Sequence, residues 1–458
     1  MNLIFPHIIF LLGFLFAAVL VAHIIRQRNT PAGTSSWLLL IVLLPYIGVP
    51  LYLLFGGRKS KRTALTKEDI RLIEEYVRPA EQAHEIEKIL RSQEIPGATL
   101  GNEVKLCTDG TQAYNEVIKL INEAKTSIYI AIYVLKNDST GKEIIEILSK
   151  RAAEGIKVRL LIDSFGSLLL LRFALRPLIK AGGKIASFMP LFTSSFRGRT
   201  NLRNHRKMLI IDQKKAWAGG ANIASEYISK LGNHGEWQDI TFTLEGPAVR
   251  LYSEIFQSDW EFATKEKIEI IPQEKPEEKI GKTVQIVPSG PDIRGDPLYH
   301  AIISAIFIAK KRIWITTPYF IPESALIQAL TIAALRGIDV RIILPKKSNH
   351  LLADIARETY LSELQEAGGK VLLFGTGMLH AKALLMDSEF VMAGSANIDV
   401  RSLLFNYEVS TLFYDHDIAK QTEGWMKDLM KNCNERIRKQ NFLRELLEGL
   451  VRIISPVL

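Results

Sequence analysis

The chain repeats itself. His205, Lys207, Asp212, Gly219 and Asn222 lie in NHRKMLIIDQKKAWAGGAN. His380, Lys382, Asp387, Gly394 and Asn397 lie in LHAKALLMDSEFVMAGSAN, and one shift of 175 residues carries all five positions of the first copy onto the second. This register restricts the fold more than composition does, because the two copies must occupy equivalent places in two similar units. The similarity extends outward from the motifs: AAEGIKVRLLID (152–163) matches AALRGIDVRIILP (333–345), LIKAGGKI (178–185) matches LQEAGGKV (364–371), and SIYIAIYVL (127–135) parallels RIWITTPYF (312–320). Each unit reads as strand, helix, strand, helix and then the motif strand. Buried β-rich runs alternating with helices imply an α/β domain with a mostly parallel sheet. Two such units imply a pseudo-dimer whose half-sites face each other.

The motif residues carry a definite chemistry. MLII and ALLM, which follow the two His-x-Lys pairs, read as buried strands. Residues i and i+2 of a strand share a face, so each His lies on the same side as its Lys. Imidazole is a nucleophile or proton carrier near neutral pH, and ammonium neutralises the non-bridging oxygens of a phosphodiester. Gly219 and Gly394 permit a tight turn or close backbone approach, and Asn222 and Asn397 each supply an amide donor. Asp212 and Asp387 stand at odd offsets from their histidines, so parity does not require them to enter the same site.

The units also differ. Between GGK and the motif His there are 20 residues in the first and 9 in the second, an insertion of 11. The inserted stretch mixes Phe188, Met189, Leu191, Phe192 and Phe196 with Arg197, Arg199 and Arg203. It reads either as a surface loop with anchoring aromatics or as a lipid-facing lip, with apolar side chains in the acyl region and Arg at phosphate.

With these residues in view the chain resembles the phospholipase D superfamily, whose signature is a duplicated HxK(x)4D(x)6GSxN motif, and within it the bacterial cardiolipin synthase branch. The second copy fits throughout with GSAN, whereas the first has GGAN, with Gly220 where many members carry Ser. TPYFIPESAL, AALRGIDVRIILP, NIDVRSLLFNYEVS, the closing SPVL, the N-terminal hydrophobic pair and FGGRKSKR are all similar to that branch. The resemblance implies two tandem phospholipase D-like halves sharing one active site, with His205, Lys207, Asp212, His380, Lys382 and Asp387 as the catalytic set. Asn222 and Asn397 are expected to bind the substrate phosphate in place of a metal, and no metal or other cofactor is expected. A downstream carboxylate orients each His in that family. Glu408, 28 residues past His380, matches this position in the second half. In the first half Glu236 and Asp239 are the candidates, and Trp237-x-Asp239 resembles the branch's W-x-D. Tyr319 could line a lipid pocket or belong to the core. By resemblance His205 attacks a phosphatidyl phosphorus, His380 protonates the leaving alcohol, and a second phosphatidylglycerol takes the phosphatidyl group to give cardiolipin with release of glycerol. Hydrolysis, or transfer from another lipid or to another alcohol, is the alternative.

The N-terminus bears on location. Leu3–Ile24 is nearly uncharged and Ser36–Phe55 is a second apolar run of 20 residues, about 30 Å as a helix. They read as a transmembrane hairpin, with a re-entrant second segment as a variant. Arg58, Lys59, Lys61 and Arg62 outweigh Arg26 and Arg28, which places the catalytic part on the cytoplasmic side of the cell's inner membrane. A net charge of +9 suits an anionic partner. Two apolar segments favour phospholipid over nucleic acid. Cys107 and Cys433 form no disulfide framework. The expected organisation is a membrane anchor over 1–57, a charged helical connector over 58–105, the first half over 106–264, a polar linker over 265–284, and the second half over 285–458. The last part closes in an amphipathic helix at 441–454. No oligomeric state follows from these features.

Overall fold

The computed structural model describes residues 4–26, 31–55, 67, 69–70, 72–74, 77–164, 166–167, 174–189, 202–230, 237–272 and 281–437. Most of the inserted stretch (190–201), Glu236 and the expected C-terminal helix lie outside them.

The duplication appears directly in the strands. The first half contributes β1 (Thr99–Cys107), β2 (Ser127–Ile132), β3 (Lys157–Asp163), β4 (Lys184–Phe188), β5 (Met208–Ile211), β6 (Lys215–Gly219) and β7 (Thr241–Glu245). The second contributes β8 (Lys282–Ser289), β9 (Arg312–Thr316), β10 (Phe320–Ile321), β11 (Asp339–Pro345), β12 (Lys370–Phe374), β13 (Ala383–Met386), β14 (Phe390–Gly394), β15 (Ile398–Asp399), β16 (Glu408–Phe413) and β17 (Cys433–Glu435). Among the described residues one sheet runs β17-β12-β11-β9-β13-β14-β16-β8-β1-β7-β6-β5-β2-β3-β4. Read outward from its centre, β1-β7-β6-β5-β2-β3-β4 mirrors β8-β16-β14-β13-β9-β11-β12. The antiparallel β1–β8 pair, with Thr99 opposite Val284 and Asn102 opposite Lys282, joins the halves.

A mostly parallel sheet was expected, but in this sheet only β2-β3-β4 and β9-β11-β12 are parallel, and the edge strand β17 is antiparallel to β12. From β2 or β9 inward every pair is antiparallel. The cause is the chain reversal after each motif strand. Asp212 and Gln213 (φ 51° and 55°) and Asp387 (φ 50°) adopt the left-handed conformation of a tight turn. β5 and β13 are therefore followed by hairpin partners rather than by crossover helices.

Helices cover both faces. α5 (Gly110–Glu123), α6 (Ser139–Ala153) and α7 (Arg176–Lys180) bury Val117, Leu120, Ile144, Leu148 and Leu178 against one face of the first half. α9 (Pro297–Ile308), α10 (Ser324–Leu335) and α11 (Leu351–Glu366) do the same for the second half, joined by the short α4 (Glu85–Arg91). On the opposite face α8 (Val249–Thr264) and α12 (His416–Lys431) enter one core drawn from both halves, with Tyr252, Phe256, Trp260 and Met426 at its centre. A core shared in this way fixes the halves relative to each other.

Two boundaries differ from expectation. The connector was read as helical through 105, yet β1 begins at Thr99 and sits at the middle of the sheet, and β8 begins at Lys282, inside the expected linker. Charged residues and Gly101 mask the strand pattern of TLGNEVKLC. Among its described residues the remainder of the connector is largely irregular, with α4 its one α-helix. At the N-terminus α1 (Ile4–Arg26), α2 (Pro31–Leu43) and α3 (Pro45–Phe55) pack Leu20, Ile24, Ile41 and Tyr52 together. The second apolar segment was expected as one helix and is broken at Leu44. Proline disfavours helical backbone in the residue before it and is favoured as the first residue of a new helix. Among the described residues no helix is long and apolar enough to cross a membrane.

Candidate active site

Regular strand begins one residue after each motif Lys, so the two histidines sit in the approach segments to β5 and β13. Backbone bonds hold those segments to the other half. His205 N donates to Tyr407 O (2.9 Å) and Tyr407 N donates to Arg203 O (2.9 Å). His380 N donates to Gln238 O (2.7 Å) and Gln238 N donates to Met378 O (2.8 Å). Tyr407 immediately precedes β16 and Gln238 lies three residues ahead of β7. Each histidine is therefore docked beside the strand entry that carries the opposite half's carboxylate.

The carboxylates are exchanged as a result. Glu408 of the second half lies 2.9 and 3.1 Å from Nδ1 of His205. Asp239 of the first half lies 2.7 Å from Nδ1 of His380. Both acids expected as orienting groups occupy that position, but each serves the histidine of the other half rather than its own. An Nδ1–H donated to carboxylate fixes the tautomer and leaves Nε2 as the free lone pair.

The two lysines complete the cluster. Lys207 Nζ donates to His205 O (2.8 Å) and lies 5.6 Å over the Tyr133 ring. Lys382 Nζ lies 2.6 Å from Nδ1 and 3.1 Å from Nε2 of His380. Because Nδ1 makes one hydrogen bond at a time, Asp239 accepts from it when it carries a proton. The rings are held from the side: Tyr133 meets His205 edge-on (centroids 4.9 Å), and Tyr227 (4.9 Å) and Trp237 (5.4 Å) enclose His380.

Burial dominates the electrostatics. It pushes Lys207 down to about 7, with Lys382 adding to the shift while Glu408 and Asp239 oppose it. It pushes Lys382 down to about 8 against the pull of Asp239 and Glu408. His380 falls to about 3 through burial and then the Lys382 charge, despite the Asp239 contact. His205 is lowered by burial and held up by Glu408. Burial pushes Asp239 up, but Lys382 and His380 together keep it below the ordinary carboxylate range. The site thus favours neutral imidazoles and holds its lysines close to losing their protons.

The Gly220/Ser395 difference has a steric basis. Ser395 Oγ donates to Glu408 Oε2 (2.5 Å) and accepts from Val409 N (3.0 Å). At Gly220 a Cβ would meet Asp239 Oδ1 at 2.2 Å. The longer Glu leaves room for a serine beneath it, and the shorter Asp, drawn onto Ile240 N (2.8 Å), does not. The motif glycines are spatial requirements too, since a Cβ at Gly219 or Gly394 would lie 2.5 Å from a carbonyl oxygen of the neighbouring strand.

Other expected residues lie elsewhere. Asp212, expected in the catalytic set, accepts from the backbone N–H groups of Lys125, Thr126 and Ser127 at 2.7–2.8 Å. Asp387 accepts from those of Lys310, Lys311 and Arg312 at 2.8–3.0 Å. Both are clamps at the far ends of the motif strands, as their odd offset from the histidines allows. Asn222 accepts from Val134 N (3.1 Å). Asn397 donates to Ser402 Oγ (3.2 Å). The asparagines border the cluster, with part of their hydrogen-bonding capacity committed to protein groups. Half-buried Tyr319 donates to Asn349 Oδ1 and packs on His350. Phe188, Met189 and Arg203 of the inserted stretch are buried, so they form no lip.

Sequence reasoning passed over Arg206, which lies between His205 and Lys207. It is fully buried and donates to Asp259 (2.6 Å), Asp292 (3.1 and 3.2 Å) and Glu408 O (3.1 Å). Strand parity contained the signal, because the residue between two site-facing positions points to the opposite face.

Residues 117–260 and 302–430 match the family described as cardiolipin synthase, phospholipase D-like domain, and residues 15–57 match a phospholipase D-nuclease N-terminal family. The chain is 33% identical to cardiolipin synthase 1 of Bacillus anthracis, over 94% of this chain and 90% of that one. It is 33% identical to a cardiolipin synthase of Listeria welshimeri, over 98% of both. Among solved structures, phosphatidylserine synthase of Haemophilus influenzae shares the fold, with a TM-score of 0.61 at 15% identity over 82% of this chain and all of that one. A duplicated half-site matched by this family in both halves, and near-full-length relatives that carry its name, establish that the chain belongs to the phospholipase D-like cardiolipin synthase family.

Proposed function

We propose that this chain is a phosphatidyltransferase that joins two phosphatidylglycerol molecules into cardiolipin and releases glycerol. The observation that carries the reading is the crossed pairing: two imidazoles, each with Nδ1 on a carboxylate, share one buried cluster with two lysines. His205 Nε2 attacks the phosphatidyl phosphorus, the bond from phosphorus to the glycerol oxygen breaks, and His380 gives that oxygen a proton. The phosphohistidine on His205 then meets the second lipid. His380 takes the proton from its glycerol hydroxyl, the oxygen attacks phosphorus, and the P–N bond breaks. Lys207 and Lys382 neutralise the non-bridging oxygens, with the amide groups of Asn222 and Asn397 at the border of the site. Burial and then the Lys382 charge depress His380, and the incoming phosphodiester offsets the second of these, which favours the imidazolium needed for the first step.

The membrane reading rests on the N-terminal helices. Of 20 exposed large apolar side chains among the described residues, 11 lie between Leu11 and Ile47, including Leu15, Val19, Ile25, Leu39 and Leu43. A surface of that kind needs a covering partner, and the match over 15–57 supports a lipid one. The broken α2–α3 unit fits a re-entrant segment, and the basic run after it favours a cytoplasmic catalytic part. Detergent-solubilised protein is incubated with headgroup-labelled phosphatidylglycerol. Equimolar glycerol and cardiolipin are expected. Glycerol with phosphatidic acid as the sole lipid product would instead assign hydrolysis, and no turnover of any phospholipid would refute the lipid reading.

A further inference from the structure

The connector that follows the N-terminal helices does more than bridge. Its Lys67 is 4% exposed and lies among catalytic-domain side chains. Lys67 Nζ donates to Asp292 Oδ2 (2.5 Å) and to Asp259, and stands 5.2 Å over the Tyr407 ring and 5.9 Å over that of Phe188. Asp259 belongs to α8 of the first half, and Asp292 follows β8 of the second. The same two acids hold Arg206, and Asp259 also accepts from Asn204 Nδ2 (2.9 Å). Two cations and two carboxylates thus balance at the seam between the halves. The network contains residues 204 and 206, on either side of His205, and Tyr407, whose carbonyl holds the His205 backbone. Further along, Ile70 N donates to Asp292 O (3.1 Å) and Ile73 N to Glu254 Oε2 (3.1 Å), so the connector is tied to both halves.

We infer that Lys67 is a positioning residue for the His205 half-site: it neutralises the Asp259–Asp292 pair that anchors Arg206, and so makes the connector a structural part of the active site. Without it two buried carboxylates share one guanidinium, and the surplus charge is relieved by protonation or by movement of the segment that carries His205. The inference rests on the catalytic reading of His205, and it reaches the chemistry through charge balance. It therefore predicts a compensation that loss of packing volume alone would not produce.

The test is a cycle in the full-length protein, using Lys67→Met, Asp292→Asn and the two combined, assayed on phosphatidylglycerol with melting temperature recorded alongside. Lys67→Met is expected to lower kcat about tenfold or more while KM stays within about threefold. Asp292→Asn, which leaves two cations on one acid, is expected to be impaired as well. The double variant, balanced again, should recover to within about threefold of wild type. Lys67→Arg, which keeps the charge, should retain more activity than Lys67→Met. Wild-type kcat in Lys67→Met overturns the inference, as does a double variant no better than the worse single one. If Lys67→Met does not fold, the double variant must still fold and turn over substrate, and its failure also overturns the inference. If the wild type itself turns over no phospholipid, the functional reading fails separately, and the coupling is then read from the melting temperatures alone.

Discussion

The exchange of carboxylates can be tested by separating the two chemical steps. Glu408→Gln and Asp239→Asn preserve size and remove charge. The amide introduced by Glu408→Gln can keep the hydrogen bond from Ser395, so the substitution isolates the contact to His205. A hydrogen bond to a charged group contributes about 1.5–3 kcal/mol. Its loss at a histidine whose charge changes during reaction should slow the step concerned by roughly 10- to 150-fold at about 1.4 kcal/mol per decade. Loss of the fixed tautomer adds to that. With phosphatidylglycerol both variants should be impaired, because both histidines act in the first step. A phosphatidyl ester of p-nitrophenol changes the comparison, since its leaving group departs without a proton. The Nδ1–carboxylate contacts of 2.9 Å at His205 and 2.7 Å at His380 then assign opposite outcomes. Asp239→Asn should keep a near-normal pre-steady-state burst of p-nitrophenol, as His380→Ala should. Glu408→Gln should lose the burst, as His205→Ala should. The inverse pattern, with Asp239→Asn abolishing the burst and Glu408→Gln sparing it, would refute either the crossed pairing or the choice of His205 as nucleophile. Trapping the phosphorylated peptide separates those two.

Gly220→Ser should reduce kcat about tenfold or more, because its Cβ has to displace a carboxylate oxygen now 2.2 Å away, whereas Ser395→Ala removes only a hydroxyl and should cost about 1 kcal/mol in melting experiments. Lys207 and Lys382, at about 7 and about 8, are charged below those values and neutral above them. KM for phosphatidylglycerol should therefore rise as pH climbs through this window, and Lys207→Arg should weaken the dependence. The unfolded chain keeps its lysine protons up to about 10.4, so it binds more protons between these limits, and the ligand-free protein should melt higher as pH rises from 7 toward 10. Asp212→Asn and Asp387→Asn should each lower stability by about 1–3 kcal/mol while kcat per folded molecule changes less than about threefold, measured by thermal melting and active-site titration.

Much of this was legible in the sequence because it is written twice. The paired motifs, the matching flanks and the apolar runs locate both halves, both His-x-Lys pairs and both acids. What was not legible depends on which segments meet across the seam. Glu408 follows His380 in the chain and Asp239 follows His205, so sequence order assigns each acid to its own half. The assignment reverses because Tyr407 and Gln238 take the approaching histidine segments of the opposite half. Arg206 is hidden as a single charged residue inside a motif, and Lys67 as one basic residue in a basic stretch. Their buried partners, Asp259 and Asp292, lie in a helix and a loop with no shared pattern. The break at Leu44 and the strand at Thr99 were concealed in different ways. Membrane-like composition makes Pro45 look tolerable, and charge in TLGNEVKLC obscures its alternation.

The antiparallel pair β1–β8 at the centre of the sheet acquires a mechanical meaning from the exchange. Each imidazole takes its orientation from a carboxylate of the opposite half, so a rotation of one half against the other would disturb both Nδ1 contacts together. On the proposed assignment of roles, nucleophile and acid would then fail at once. The sheet acts as a common rule for two reacting groups, and the competence of the site becomes nearly all-or-none in the alignment of its halves.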